Sequence, residues 1–368
     1  MHLKVGSTII LLLPLLSGAD SPVRAGYGPL HFKQSFPESP APFIIDVDPV
    51  FIAQTKVKAS LTRASIDIST IQEYTEGVPS HNVTDVANYW ASKYNWADIQ
   101  KQLNKDFHHF STTIPPLNSS SFTDPVQLHF VHHKSLRKDA IPLLFIHGWP
   151  GSFLEVAKIL PLLTNPTDPD DPAFHVVAPS LPGFGFSPAP HKPGLGLKEV
   201  AGAFNHLMHQ LNYSRYVIQG GDFGGHASRY MGAYFPESVV SILPNLFWVL
   251  PNTTDLERRA QNKTTAEENM FMASLDASKG LENAYWGIQS LLPQQIGSLL
   301  ADSPVMNALW SYPGMLLLSP GYSWSIEELI TWGMMSYIQG PYGSIRMYKE
   351  LLRVSRLSES PWVYSLLL

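Results

Sequence analysis

The sequence predicts an α/β protein, with a largely parallel sheet covered by helices on both faces. Two observations predict the sheet. Near-continuous apolar runs recur at Pro142–His147, His175–Ser180, Arg215–Gln219 and Val239–Pro244, and segments of helical periodicity separate them. Strands that read as apolar throughout, alternating with helices, belong to a sheet buried on both sides. A third observation places helices over that sheet. From Pro251 to about Tyr348 the strand signal vanishes, and Met270, Phe271, Leu275, Leu281, Ile288, Leu291, Leu292, Ile296 and Leu299, joined by Ile326–Ile338, fall in helical segments.

Composition sets the outer limits. Of 368 residues, 44% are hydrophobic and 15% charged, which provides for a sizeable core. Aromatics at 11% and 31 prolines suit a looped globular chain rather than a coiled coil or a disordered one. A net charge of −5 gives no broad basic field and argues against nucleic acid as a partner. There is no cysteine, and no pair of histidines stands in ligand spacing with carboxylates. Neither a metal nor another cofactor is expected. The oligomeric state is left open.

The first residues read as an address. His2 and Lys4 precede an apolar run from Val5 to Leu16, followed by the small residues Ser17-Gly18-Ala19. That layout is a secretory signal peptide over 1–19, too short for a comfortable bilayer span, with an uncleaved membrane anchor as the alternative. Asn-X-Ser/Thr sequons follow at Asn82, Asn118, Asn212, Asn252 and Asn262. The expectation is a secreted glycoprotein with no stable membrane span after cleavage. Without cysteine, packing rather than disulfides must stabilise it.

Along the chain, 36–49 is Pro-rich and then extended. After a polar stretch, Val86, Tyr89, Trp90 and Tyr94 define an amphipathic helix with Thr84 or Asp85 as its N-cap. Leu128–His132 alternates like a strand before a charged turn, 134–139. Strand Pro142–His147 leads to a helix over Ser152–Leu163, then to strand His175–Ser180. Leu197, Val200, Phe204, Leu207, Met208 and Leu211 line one helix face. Strand Arg215–Gln219, a glycine turn, a helix to Phe235 and strand Val239–Pro244 complete the run. Chemistry is expected beyond the carboxyl ends of such strands.

Three loops there carry it. Gly220-Gly221-Asp222-Phe223-Gly224-Gly225 joins a strand to a helix. A nucleophile elbow needs that context, because so sharp a turn admits only small side chains around the reactive residue. The bland alternative is a Gly-rich turn with a solvated Asp. His147-Gly148-Trp149-Pro150-Gly151-Ser152 follows the first strong strand, where half an oxyanion hole would stand, so the N–H groups of Trp149 and Phe223 are its expected donors. Pro179-Ser180-Leu181-Pro182-Gly183-Phe184-Gly185-Phe186-Ser187 is a rigid aromatic loop after the next strand. Each alone reads as a Pro/Gly turn; three in this order do not read as coincidence.

In that order the loops resemble epoxide hydrolases of the microsomal and fungal type. Tyr89-Trp90, Tyr94-Asn95-Trp96, Leu103-Asn104 and Leu128-His129-Phe130-Val131-His132 resemble that family's N-terminal meander. The resemblance runs from about Pro42 to Glu350. It implies an α/β-hydrolase fold with a mostly parallel sheet, a meander over 20–135, a catalytic core over 136–250 and a helical cap over 251–348. It implies Asp222 as the nucleophile that opens a small hydrophobic epoxide to an alkyl-enzyme ester. Tyr348 in Arg346-Met347-Tyr348-Lys349-Glu350 is implied as proton donor, with Tyr285 in Tyr285-Trp286-Gly287-Ile288-Gln289 as its partner. Trp149, Phe184 and Phe223 would line the pocket, although aromatics are more often plain core.

The sequence also departs from the family. A water-activating His should follow the nucleophile, yet the last histidine is His226, expected in the first turn of the next helix and without a catalytic role. No catalytic His is therefore assigned. Segment 349–368 reads as a return segment lacking the last strands and the triad acid. The expectation is a truncated chain, whether product or gene model, whose ester hydrolysis is impaired and whose strand Val239–Pro244 is an open edge. Two other readings stand beside it: a haloalkane dehalogenase-like hydrolase, and a non-catalytic secreted binding protein.

Overall fold

Residues alternate sides along β4 (Ile141–Ile146): Leu143 and Phe145 enter one core, Leu144 and Ile146 the other. The computed structural model describes residues 30–33, 35–116, 122–246, 251–277 and 281–357, with the side chains of 277, 281–283 and 352–357 outside the description. The expected leader 1–19, Asn118 and most of the return segment 349–368 lie outside the described residues.

The other strands are β1 (Ala41–Pro42), β2 (His109–Ile114), β3 (Val126–His133), β5 (Phe174–Pro179), β6 (Tyr216–Gly220) and β7 (Val239–Pro244). They form one seven-stranded sheet in the order β1-β2-β3-β5-β4-β6-β7. β5, β4, β6 and β7 run parallel, while β1, β2 and β3 pair antiparallel and join the parallel part through β3 and β5. This is the α/β-hydrolase arrangement, with its parallel half expected from the apolar runs.

Both faces are covered. On one, α2 (Ser80–Ser92) buries Val83, Val86, Ala87 and Trp90, and α1 (Pro49–Ser60) and α3 (Trp96–Asp106) pack beside it. On the other, α5 (Leu197–Gln210) buries Val200, Phe204, Leu207 and Met208 alongside α6 (Phe223–Tyr234). Full burial of each such side chain is worth about 1.5–3 kcal/mol. After β7 the chain is helical: α7 (Thr253–Ala260), α8 (Ala266–Ala277), α9 (Leu281–Leu291), α10 (Pro293–Asp302), α11 (Pro304–Leu309), α12 (Tyr312–Leu318), α13 (Ile326–Tyr337) and α14 (Tyr342–Leu357).

The structure corrects three local expectations. The helix expected to start at Thr84 or Asp85 begins at Ser80, after Pro79, and the Thr84 hydroxyl bonds back to the Ser80 carbonyl at 2.9 Å. The helix expected over Ser152–Leu163 splits into a 3-10 turn, Phe153–Val156, and the short α4 (Leu160–Thr164). Pro161 opens α4; lacking an N–H, it cannot carry helical bonding through from the preceding turn. Finally, α1 occupies the start of the polar stretch after 36–49, to which no element was assigned, since only Phe51, Thr55 and Ala59 bury on a helix whose Val50 and Val57 stay exposed.

β7 ends the sheet among the described residues. Its Val240 is 53% and its Leu243 71% exposed. No described helix is long and apolar enough to cross a membrane.

Candidate active site

Backbone geometry builds the centre of the site. Between the end of β6 and the start of α6, Asp222 adopts φ 50° and ψ −124°, in the positive-φ region that side-chain-bearing residues avoid. The flanking glycines make that turn packable. A Cβ at Gly224 would overlap the Ile146 carbonyl of β4, and one at Gly221 would overlap the Asn245 amide. The elbow glycines are required by neighbouring backbone and side chains, not by flexibility alone.

The loop after β4 meets this elbow directly. The Trp149 N–H donates to Asp222 Oδ1 at 2.7 Å, and the Phe223 N–H also supports the ionised carboxylate. Burial outweighs both and leaves the Asp222 carboxyl raised from its usual range. A Cβ at Gly148 would collide with Asp222, so the loop approaches as closely as a residue without a side chain permits.

His147 fixes that loop from behind. One ring nitrogen, Nδ1, bonds the Gly148 carbonyl at 3.0 Å, and Nε2 accepts the Leu181 N–H at 3.1 Å. The pairing assigns the neutral Nδ1–H tautomer, and burial pushes the imidazole down to about 4. The loop after β5 is held in turn by Ser187 Oγ donating to the Ser180 carbonyl at 2.7 Å and by Gln339 Nε2 donating to the Gly185 carbonyl at 2.8 Å.

The helices over the sheet supply the tyrosines. Tyr348 on α14 is 1% exposed and packs against Phe223, Trp286 and Trp149, with ring centroids at 4.8, 5.2 and 5.7 Å. Tyr285 on α9 stacks on Trp149 at 5.1 Å and meets Tyr348 edge-on at 6.0 Å. Tyr285 and Gln289 stand within reach of the Tyr348 hydroxyl, but neither makes a hydrogen bond of acceptable geometry with this buried donor. Burial, reinforced by the Asp222 charge, holds it well above the ordinary tyrosine range. It keeps its proton at neutral pH.

Most sequence-predicted residues therefore come together. Asp222, Trp149, Phe223, Tyr285 and Tyr348 form one cluster, whereas Phe184 and Phe223 are only 2% and 1% exposed. Both rings are packed into the core, and Phe184 lies against Phe223 and His147 at 6.3 and 5.3 Å. A recess under α11 and α13 reaches the cluster through Trp149 and Pro150, but neither Asp222 nor Tyr348 lines it. His226 stands in the first turn of α6, its N–H bonded to the Asp222 carbonyl at 3.1 Å. Among the described residues no three His, Asp or Glu side chains gather as a metal site. Of the sequons, Asn212 and Asn262 are exposed; Asn82 bonds the Tyr74 hydroxyl, and Asn252 caps α7.

Sequence reasoning missed Glu155. It lies in the 3-10 turn after the His147–Ser152 loop, and its carboxyl fills the space above Gly151 where a Cβ would sit. The available signal was a glycine four residues before an acidic residue, in a loop already assigned to the site.

Two regions of the chain match known protein families. Residues 40–156 match the family described as epoxide hydrolase N terminus, and residues 141–303 match the alpha/beta hydrolase fold. The juvenile hormone epoxide hydrolase of Bombyx mori is 30% identical over 95% of this chain and 79% of its own length. The chain belongs to the epoxide hydrolase family. A putative epoxide hydrolase of Stigmatella aurantiaca is 34% identical over 74% of the chain, which spans 59% of that relative. Among solved structures, the epoxide hydrolase of Aspergillus niger superposes with a TM-score of 0.70 at 26% identity, covering 88% of this chain and 82% of its own.

Proposed function

We propose that this chain opens small hydrophobic epoxides by forming an ester at Asp222. The observation that carries the reading is the Asp222 carboxylate itself, set at a strained elbow with Oδ1 held by the Trp149 N–H at 2.7 Å. One oxygen is held; the other is the attacking atom. Attack on a ring carbon forms a C–O bond and breaks the strained one, and the electron pair moves to the ring oxygen. Tyr348, protonated and without a partner, donates to that oxygen, and Tyr285 is the second donor beside it. In the ester, Oδ1 becomes the carbonyl oxygen, already placed against the N–H groups that would stabilise negative charge during hydrolysis.

The described residues account better for ester formation than for ester cleavage. Among them, His147 has both ring nitrogens engaged inside the protein, and His226 belongs to the elbow helix. Release of diol is accordingly expected to lag behind opening. The reading assigns 20–135 as meander, 136–250 as catalytic core and 251–348 as cap. It also assigns the secretory route, with Asn212 and Asn262 as the most open glycan acceptors among the described residues; a glycosidase-sensitive mass on the secreted protein would support that.

Rapid mixing with an aryl epoxide, followed by quantification of epoxide and diol, tests the chemistry. Consumption of at least one epoxide per chain in the native protein, absent in Asp222→Asn, supports it. Equal consumption by both proteins, or reversible binding without consumption, would overturn it.

A further inference from the structure

His129 lies outside the site, in the middle of β3, yet its bonds run toward the nucleophile. Its imidazole is fully buried and joins the meander to the loop after β5. Nε2 stands 2.9 Å from His109 Nδ1, and Nδ1 stands 3.0 Å from Ser180 Oγ. The other ring nitrogen of His109, Nε2, is 3.1 Å from the Leu103 carbonyl of α3.

These partners fix each proton. A carbonyl only accepts, so His109 carries its proton on Nε2 and presents a bare Nδ1. His129 then donates from Nε2, which leaves its own Nδ1 to accept the Ser180 hydroxyl proton. Neutral rings suit their burial, which lowers His109 to about 4 and His129 well below the usual imidazole range.

The His129 backbone holds the same loop. Its N–H donates to Ser187 Oγ at 2.9 Å, and its carbonyl accepts the Ser180 N–H at 2.9 Å. Ser187 Oγ donates onward to the Ser180 carbonyl at 2.7 Å. That carbonyl belongs to the peptide whose N–H, on Leu181, donates to His147 Nε2 at 3.1 Å. His147 donates from Nδ1 to the Gly148 carbonyl at 3.0 Å, and the N–H of that peptide, on Trp149, holds Asp222 Oδ1 at 2.7 Å. From His129 to Asp222, each group accepts from the one behind and donates to the one ahead. Aligned bonds of this kind strengthen one another in a dry interior.

We propose that His129 is a positioning residue for the nucleophile: by holding Ser180 and Ser187 it orients the Ser180–Leu181 peptide, keeps His147 in its Nδ1–H tautomer and so aims the Trp149 N–H at Asp222. The meander thereby acts on the reacting carboxylate without lining the site. The effect on reaction rate rests on Asp222 being the residue esterified; the chain of bonds does not.

Isotopic labelling of histidine and tryptophan nitrogens reads the chain by NMR without turnover. In native protein, His109 and His129 should carry their protons on Nε2 and His147 on Nδ1. A His129 proton on Nδ1, or a cationic His129, overturns the proposal. His129→Phe keeps the bulk of the ring and removes both of its bonds, and Ser180→Ala removes one of them at smaller structural cost. The matched control is His132→Gln, at a buried β3 imidazole bonded instead to the Tyr213 hydroxyl at 3.0 Å. Both chain variants should shift the His147 ring and Trp149 amide resonances. Both should slow adduct formation from an aryl epoxide by about 10-fold, with epoxide affinity within about twofold of native. His132→Gln should leave those resonances and that rate at native values even where it lowers Tm. Equal slowing in the control, or native resonances or a native rate in Ser180→Ala, overturns the proposal. If neither chain variant folds, the native tautomers decide it. If native protein forms no adduct, the ester reading itself has failed, and the resonances still decide whether His129 acts on Trp149.

Discussion

The loops beyond β4, β5 and β6 and the helices α9 and α14 supply one site by opposite means. The loops contribute backbone: an Asp at positive φ, N–H groups aimed at its carboxylate, and glycines where neighbours leave no space. The helices contribute side chains, Tyr285 and Tyr348, whose own backbone is ordinary helix. The first kind of site tolerates almost no change in shape. The second should tolerate loss of a functional group with little structural cost. Stability and reactivity should therefore be coupled in the loops and separable in the helices.

The largest effect should follow from crowding the elbow. Gly224→Ala places a methyl against the Ile146 carbonyl, backbone that cannot step aside, and overpacking of this kind costs about 3 kcal/mol or more. Chemical denaturation should show that loss, or the variant should fail to accumulate folded. A native-like midpoint would break the comparison.

Tyr348→Phe probes the other side. Adduct formation should slow by about 10²-fold or more, the usual contribution of a positioned proton donor. Stability should hold or rise by about 1 kcal/mol, since the variant removes a buried hydroxyl that has no partner. Rapid-quench kinetics and denaturation on the same preparation would separate the two effects; a large stability loss would show that the hydroxyl is structural.

Acid should strike the sheet side. All 14 histidines lie at or before His226, none in 251–348. Burial lowers His109, His132 and His147 to about 4 in the folded protein, against about 6.5 for a solvated imidazole. Between those values the unfolded chain binds more protons, so stability is lost as pH falls from about 6.5 towards 4. Thermal melts across that window should show a falling Tm, and a flat profile would contradict the assignment of neutral buried rings. The smallest effect is expected at β7, where Val240→Lys with Leu243→Lys should reduce aggregation while changing stability by no more than about 0.5 kcal/mol.

This division also explains what was legible. β4, β5, β6, β7 and the elbow follow from apolar runs and from glycines around Asp222, because backbone constraints restrict residue type locally. α1 was missed because its burial rests on Phe51, Thr55 and Ala59, too sparse a stripe to stand out. The break in Ser152–Leu163 was written in Pro161, although apolar periodicity ran across it. Tyr348 and Tyr285 emerged only through resemblance, since nothing in helical spacing says which of 15 tyrosines meets Asp222. The fold of the Glu155 side chain back over Gly151 stayed hidden because spacing carries no rotamer information.

The central claim is that Asp222 is the atom-bearing nucleophile of the site. Incubation with an aryl epoxide, rapid acid quench, intact-mass measurement and peptide mapping tests it most directly. The account predicts one added epoxide mass per chain, located on Asp222, lost in Asp222→Asn and slowed in Tyr348→Phe. An adduct mapped to another residue, or native-like labelling of Asp222→Asn, would contradict it.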